Sequence, residues 1–372
     1  MYHYILSMKY VPLLLLSIIL NSAVYAQKRD TWTAFWNQDT TLIGFKDAQG
    51  KVKIEPKFMG LTTAGKFDDI MAVTEPVKDT WANYYQTKSG RILGRDSLYV
   101  FDNTADCESE GFIRFHDPKT DKVGMFNRKG DIVIPAEYNG LTPVRNGMAI
   151  ALKGAKKKYW DKDKHDGCNH YSWTGGTEVL IDTNNRVLVA DFTYNGQLNF
   201  FSLKVTAQPN TDPIRKHFKG LNGQYYSFID FELEFKQWLQ QNLLQQCTKK
   251  DLLAATYEKI TWEAPDDWRT EPKTAFIDRN VELLQSKFKE LSKAGTDYAI
   301  SRDGLNPFMF AEKEFESYYN NCGEAKDWLY PTMDIIITHN DEDHFSQDHL
   351  EFLRTEQGYK LICVTIRKGT IR

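Results

Sequence analysis

The sequence predicts a multidomain chain: an all-β repeat array of antiparallel hairpin units of about 40 residues, followed by an α+β domain. Three observations predict it. Glycines Gly50, Gly90 and Gly130 recur forty residues apart, each between two short runs of strand-forming residues. No helical periodicity of useful length appears before residue 213. Beyond it, apolar residues at 3–4 spacing appear, and the last forty residues return to strand-like runs.

The N-terminus reads as an export signal over residues 1–26. Lys9 precedes the apolar run Val11 to Leu20, and Val24 and Ala26 place small residues at −3 and −1 of a cleavage site. The run is short for a membrane span, so no span is expected after cleavage. Met8, directly before Lys9, is an alternative start. The predicted location is periplasmic or secreted. Cys107, Cys168, Cys247, Cys322 and Cys363 are too few and too dispersed for a disulfide scaffold. They leave open one or two bridges, whose pairing sequence does not give, or buried free thiols. Net charge is −3, which gives no electrostatic reason to bind nucleic acid.

Residues 27–206 form the predicted repeat domain. "GFKDAQGKVKIEPKFMGLT", Gly44 to Thr62, aligns with "GMFNRKGDIVIPAEYNGLT", Gly124 to Thr142, at a constant offset. A weaker copy surrounds Gly90. A fourth, Val179 to Phe192, carries Asn184-Asn185 where the turn glycine is due, and Asn also tolerates positive φ. Each unit reads as strand, tight turn, strand, with Pro56 and Pro135 expected to end the second strand.

This pattern resembles the WG-repeat family: an apolar residue before Gly, a polar turn closed by Gly, then V-I-x-P-x-[FY] and a further strand. The resemblance covers about Thr41 to Phe201. It departs at the naming dipeptide, where Ile43 and Val123 stand in place of Trp. It implies a β-rich bacterial exported protein with protein-interaction or surface roles, and no catalytic residues or cofactors.

A charged insertion, Lys153 to Glu178, lies between the third and fourth units. Asp161, Asp163, His165, Asp166, Cys168 and His170 crowd it, but the spacing fails for a calcium loop, which needs Gly at position six and Glu at twelve. Zinc at His165, Cys168 and His170 lacks a paired half. Tyr159, Trp160, Tyr171 and Trp173 in the same loop suit an aromatic contact surface.

Residues 207–222, with two prolines, read as a linker to the α+β domain at 223–372. Phe228, Phe231, Phe235, Trp238, Leu239 and Leu243 give an amphipathic stripe. Thr248 is a candidate N-cap for a helix over 249–260. Val281, Leu284, Phe288 and Leu291 mark another helix, and 311–321 a shorter one. The closing hairpin, Glu351 to Ile366, resembles the last hairpin of NTF2-like cone domains, which implies helices packed into a curved sheet.

"IIITHNDEDHF", Ile335 to Phe345, contains H-x-D-x-D-H, a spacing similar to that of metallo-β-lactamase-like hydrolases. His339, Asp341, Asp343 and His344 are its residues, and they define the alternative reading of a metal-dependent hydrolase. That resemblance implies further ligands downstream, where the chain supplies one histidine, His349. A single-ion site from His339, Asp341 and His344 needs no such partners. The alternative at this stretch is a strand, Met333 to Thr338, leaving the sheet through a polar loop. The favoured function is non-catalytic binding to a protein or cell-surface partner, with a structural envelope protein as the third reading.

Overall fold

One polar turn, used four times, organises the N-terminal half. Asp47 Oδ1 accepts from the N–H groups of Gln49 and Lys51 at 3.0 and 2.9 Å. Asn127 does the same for Lys129 and Asp131, and Asp182 for Asn184 and Arg186. Thr87 offers Oγ1 to Arg91 N–H at 3.1 Å. A backbone bond closes each turn: Gly50 to Asp47, Gly90 to Thr87, Gly130 to Asn127, Asn185 to Asp182. The donor needs positive φ. The three glycines have +82°, +88° and +80°, and Asn185 takes +61° in the glycine's place.

The structure is a computed structural model that describes residues 30–371, except 61–62, 161–170, 194–195 and 342–343. The signal-like segment therefore lies outside the described residues. Each turn joins the second and third strands of a three-stranded antiparallel meander, and a two-residue strand, Lys66–Phe67 or Gly140–Leu141, widens the first and fourth sheets to four strands. The strands are Trp32–Trp36, Leu42–Lys46 and Val52–Met59; then Ile70–Val77, Thr80–Thr87 and Ile92–Leu93. The third sheet is Phe112–Asp117, Lys122–Asn127 and Ile132–Tyr138; the fourth, Met148–Lys153, Thr177–Asp182 and Val187–Val189.

Pro56 and Pro135 do not end their strands, as expected from sequence; both lie inside them. Phe45 pairs with Ile54 but Ile43 pairs with Phe58, so two extra residues bulge out around Pro56. Met125–Ile134 and Val123–Tyr138 repeat this around Pro135. The bulge leaves proline where no ladder donor is required. The glycine of the repeat makes room for it. A Cβ on Gly44 would overlap the Ile54 carbonyl and lie 2.6 Å from Pro56 N; on Gly124 it would lie 2.7 Å from Ile134 O and 2.6 Å from the Phe115 ring. The equivalent residues in units two and four are Tyr84 and Val179, and there the third strand is only two or three residues long.

Strand alternation feeds neighbouring cores. Met71 and Val73 join Phe45, Phe58 and Tyr84 in the core between units one and two. Ile70, Ala72 and Tyr85 join Ile113, Phe115 and Phe126 between units two and three. Met125, Ile134 and Tyr138 meet Ala149, Val179 and Ile181 between three and four. The second, third and fourth sheets bury both faces, and the first buries one, the logic of a repeat stack.

A further sheet, ordered Leu198–Thr206, Tyr225–Asp230, Arg215–Lys219, caps the fourth unit through Phe192, Phe200 and Phe228. The stretch expected to link two domains thus contributes a strand. The first residues of the expected helix do too. Tyr225–Asp230 pairs on both sides, and α1 (Phe231–Leu239) starts only after Asp230, whose carboxylate caps Glu232 and Leu233 N–H.

After a π turn at Gln240–Leu244, α2 (Lys249–Ala255) begins at Thr248 with a capping box to Asp251. It ends five residues earlier than the pattern predicts, because Thr256–Glu263 enters a sheet. The sheet has six strands, ordered Trp268–Pro272, Thr256–Glu263, Gly358–Thr365, His344–Thr355, Thr332–Asp341, Tyr298–Asp303, with one parallel pair between Thr256–Glu263 and Gly358–Thr365. Helices α1, α2 and α3 (Lys273–Glu290) pack on one face through Phe235, Leu252, Phe276, Leu284 and Phe288. Leu305, Phe310 and Phe315 cover Leu353 and Ile362 on the other.

Candidate functional site

The strand carrying Ile335–Ile337 does not leave the sheet at Thr338. It runs to Asp341, and the next strand starts at His344, with Asp341 opposite His344 and His339 opposite Ser346. The polar letters extend a hairpin rather than form a loop, because each strand offers the other a partner at every position. Asp343 and the side chains of Asp341 and His344 lie outside the described residues. His339 is buried, with Nε2 2.7 Å from Asp348 Oδ2. Lys287 Nζ, from α3, reaches the same oxygen at 2.5 Å. Asp348 Oδ1 accepts from Arg367 and Lys368 N–H at 2.6 and 3.1 Å. Burial alone would raise the Asp348 carboxyl, but bonds from Lys287 and His339 and the two amides hold it below the ordinary aspartate range. His339 is thus one member of a satisfied buried ion network. Among the described residues, no group of three His, Cys, Asp or Glu could hold a metal ion.

The charged insertion is a two-stranded hairpin, Lys156–Tyr159 with Tyr171–Thr174. Its tip, holding Asp161, Asp163, His165, Asp166, Cys168 and His170, lies outside the described residues. Register places Lys157, Tyr159, Tyr171 and Trp173 on one face. Tyr171 meets Tyr159 and Trp173 edge-on at 5.9 and 5.4 Å. Lys157 stands 4.2 Å over Tyr171 and 2.7 Å from Asp121, which ties the hairpin to the third sheet. Tyr159, Tyr171 and the neighbouring Trp160 remain exposed at 47%, 40% and 73%.

A third feature could not be read from sequence, since its parts are far apart. Residues 316–328 fold back along the repeat stack. Lys66 N–H donates to the Asn321 carbonyl at 3.1 Å, Asn321 Nδ2 to Asp68 at 2.8 Å, and Lys66 Nζ lies 2.6 Å from Glu316. Cys107 and Cys322 form a disulfide across this seam, so at least one of the bridges left open by sequence exists. Cys247 and Cys363 are free thiols, both pushed up by burial, Cys247 to about 11.

Beside the disulfide the seam opens into a cleft of about 390 Å³. Two arginines stand in it on aromatic rings. Arg114 lies 4.1 Å over Tyr99, bonds to Asp106 and reaches the Leu141 carbonyl; its Nε is buried without a hydrogen-bond partner. Arg145 stacks on Trp328 with Cζ 3.3 Å from the ring centre. Glu108, also in the wall, accepts from Asp69, Ile70 and Gly111 N–H, yet burial pushes its carboxyl up to about 7. Sequence reasoning missed both arginine partners; the dipeptide Asn146-Gly147 is the local hairpin signal that could have located the turn presenting Arg145, and no local signal points to Trp328.

Stacked antiparallel sheets that each carry the same polar turn define a β-repeat protein. Residues 124–156, from the bulge glycine of unit three to the start of the aromatic hairpin, match the model of the WG containing repeat family. No curated protein and no solved structure matches the chain.

Proposed function

We propose that this is an exported, non-catalytic bacterial binding protein that contacts a protein or cell-surface partner through the aromatic hairpin at 156–174. The observation that carries the reading is the row Tyr159, Trp160, Tyr171, with Trp173 beside it, held away from every apolar core and fixed at its base by Lys157 and Asp121. Large rigid aromatics at a surface supply contact area at low entropic cost. Export is supported by the N-terminal apolar run and by the Cys107–Cys322 bridge, a bond that persists in oxidising compartments. Among the described residues no helix is long and apolar enough to cross a membrane. The engagement of His339 by Asp348 favours binding over metal-dependent hydrolysis. Three helices packed on one face of a six-stranded sheet support reading residues 223–372 as an α+β domain.

The test is saturable binding of the labelled mature chain to intact bacterial cells and to isolated envelope fractions. Tyr159→Ser/Tyr171→Ser/Trp173→Ser should abolish it while leaving the melting temperature within a few degrees of the parent. Equal binding by the triple variant, or no saturable binding by the parent, overturns the reading.

A further inference from the structure

The seam cleft holds a guanidinium, that of Arg145, with no carboxylate in contact among the described residues. Arg145 Nη1 donates to Ser109 Oγ and, at 3.1 Å, to the Val144 carbonyl. Nε and Nη2 have no acceptor among the described residues, and no carboxylate among them forms an ion pair with the guanidinium. Arg114, in the same lining, has the opposite arrangement: Asp106 neutralises it. Burial of Arg145 pulls its pKa down to about 10, against the attraction of Asp327, Asp106 and Glu110. A part-buried, unpaired cation is costly unless something brings an anion to it.

The site is also rigid. Arg145 precedes Asn146-Gly147, both at positive φ, in a turn closed by paired bonds between Arg145 and Met148. Glu110 receives the N–H groups of Asn146 and Gly147 at 2.6 and 2.8 Å, and Asn146 Nδ2 reaches the Phe200 carbonyl at 2.9 Å. Trp328 holds the guanidinium plane. Such preorganisation lowers the cost of ligand capture.

The rest of the lining sets the ligand's character. Leu141, Pro143 and Phe101 make part of the wall apolar, while Glu178 and Glu324 add negative charge elsewhere. A multiply charged anion such as phosphate is disfavoured beside those carboxylates, and one carboxylate attached to an apolar body is not. The volume lies within the range of about 300–1,000 Å³ that takes small ligands. We propose that this cleft captures the free C-terminal carboxylate of a peptide with an apolar last residue: the carboxylate on Arg145 Nε and Nη2, and the last side chain on the Leu141–Pro143 wall. No residue of the aromatic hairpin lines the cleft, so the two proposals are tested apart.

The test is calorimetric titration of the full mature chain with N-acetyl-Gly-Gly-Leu and N-acetyl-Gly-Gly-Phe, each as free acid and as amide, with octanoate and inorganic phosphate alongside. The free acids should bind, and the amides should bind roughly tenfold more weakly or worse, the loss of one charge-assisted contact. Arg145→Met should lose the difference between acid and amide. Trp328→Leu, which releases the guanidinium plane, should weaken the acid alone. The comparison of acid with amide on the parent chain needs no variant, so misfolding of a mutant does not protect the proposal. Equal binding of acid and amide, no binding of either acid at millimolar concentration, or tighter binding of octanoate or phosphate than of both acids overturns it.

Discussion

The two halves of the molecule solve the same problem, burying both faces of a sheet, by different means. The repeat half does it with neighbours in sequence. Each sheet is closed by a local polar turn and covered by the units next to it in sequence. The C-terminal half does it with distant segments. One six-stranded sheet takes strands from 256 to 365, and its polar centre joins Lys287 on a helix to His339 and Asp348 on two strands. The difference teaches where damage should travel. A fault in the stack should stay within a unit and its neighbours, whereas a fault in the ion network should loosen the whole sheet.

Lys287→Met should show the largest effect. Both partners are almost fully buried, and removing one leaves Asp348 short of its main counter-charge, at a cost of about 3–5 kcal/mol. Urea unfolding at neutral pH checks this. The Asp348 carboxyl is held below its ordinary value, so its contribution is present at neutral pH and is lost as pH falls through that depressed value. The gap between parent and variant should therefore narrow in strong acid. Cys322→Ser, or reduction, comes next. Opening a bridge between residues 215 apart should cost about 2–5 kcal/mol and expose amides on both sides of the seam to hydrogen exchange.

Gly124→Val should cost about 1–3 kcal/mol or more, because the new side chain meets the Ile134 backbone carbonyl as well as the buried Phe115 ring. Its exchange signature should be confined to units two to four. Spread into the six-stranded sheet would break the comparison. The smallest effect is expected at Glu351, which burial and then Asp334 push up to about 7. Its folded value lies above the ordinary 4.5, so this group favours the folded state in acid, and that advantage is lost as pH rises through about 7. Glu351→Gln should raise the melting temperature near pH 8, by up to about 1–3 kcal/mol of stability, and change it little near pH 4.

The same contrast decides what was legible. Gly50, Gly90, Gly130 and even Asn185 could be placed on one turn, because the requirement for positive φ lies within four residues of chain. The role of Gly44 and Gly124 was not legible, because it depends on a bulge ten or more residues away, at Pro56 and Pro135. In the C-terminal half, Thr248 was a readable cap because capping is local. Phe228 was assigned to the helix because its spacing fits one; pairing with both flanking strands of its sheet overrides that pattern. His339 looked like a ligand beside Asp341 and His344 because the eye reads along the chain. Its observed partner, Asp348, lies across the hairpin, and Lys287 on a helix 61 residues from that aspartate. Arg145 and Trp328 meet only because the seam closes.

The seam is therefore the central claim: two halves of unlike construction, joined so that residues 316–328 lie against the stack and a cleft opens between them. Peptide mapping of the unreduced chain by mass spectrometry tests it directly. The account predicts one linked species joining the Cys107 peptide to the Cys322 peptide, with Cys247 and Cys363 labelled as free thiols after denaturation. Cys107 and Cys322 recovered as free thiols, or either one linked to Cys247 or Cys363, would contradict it.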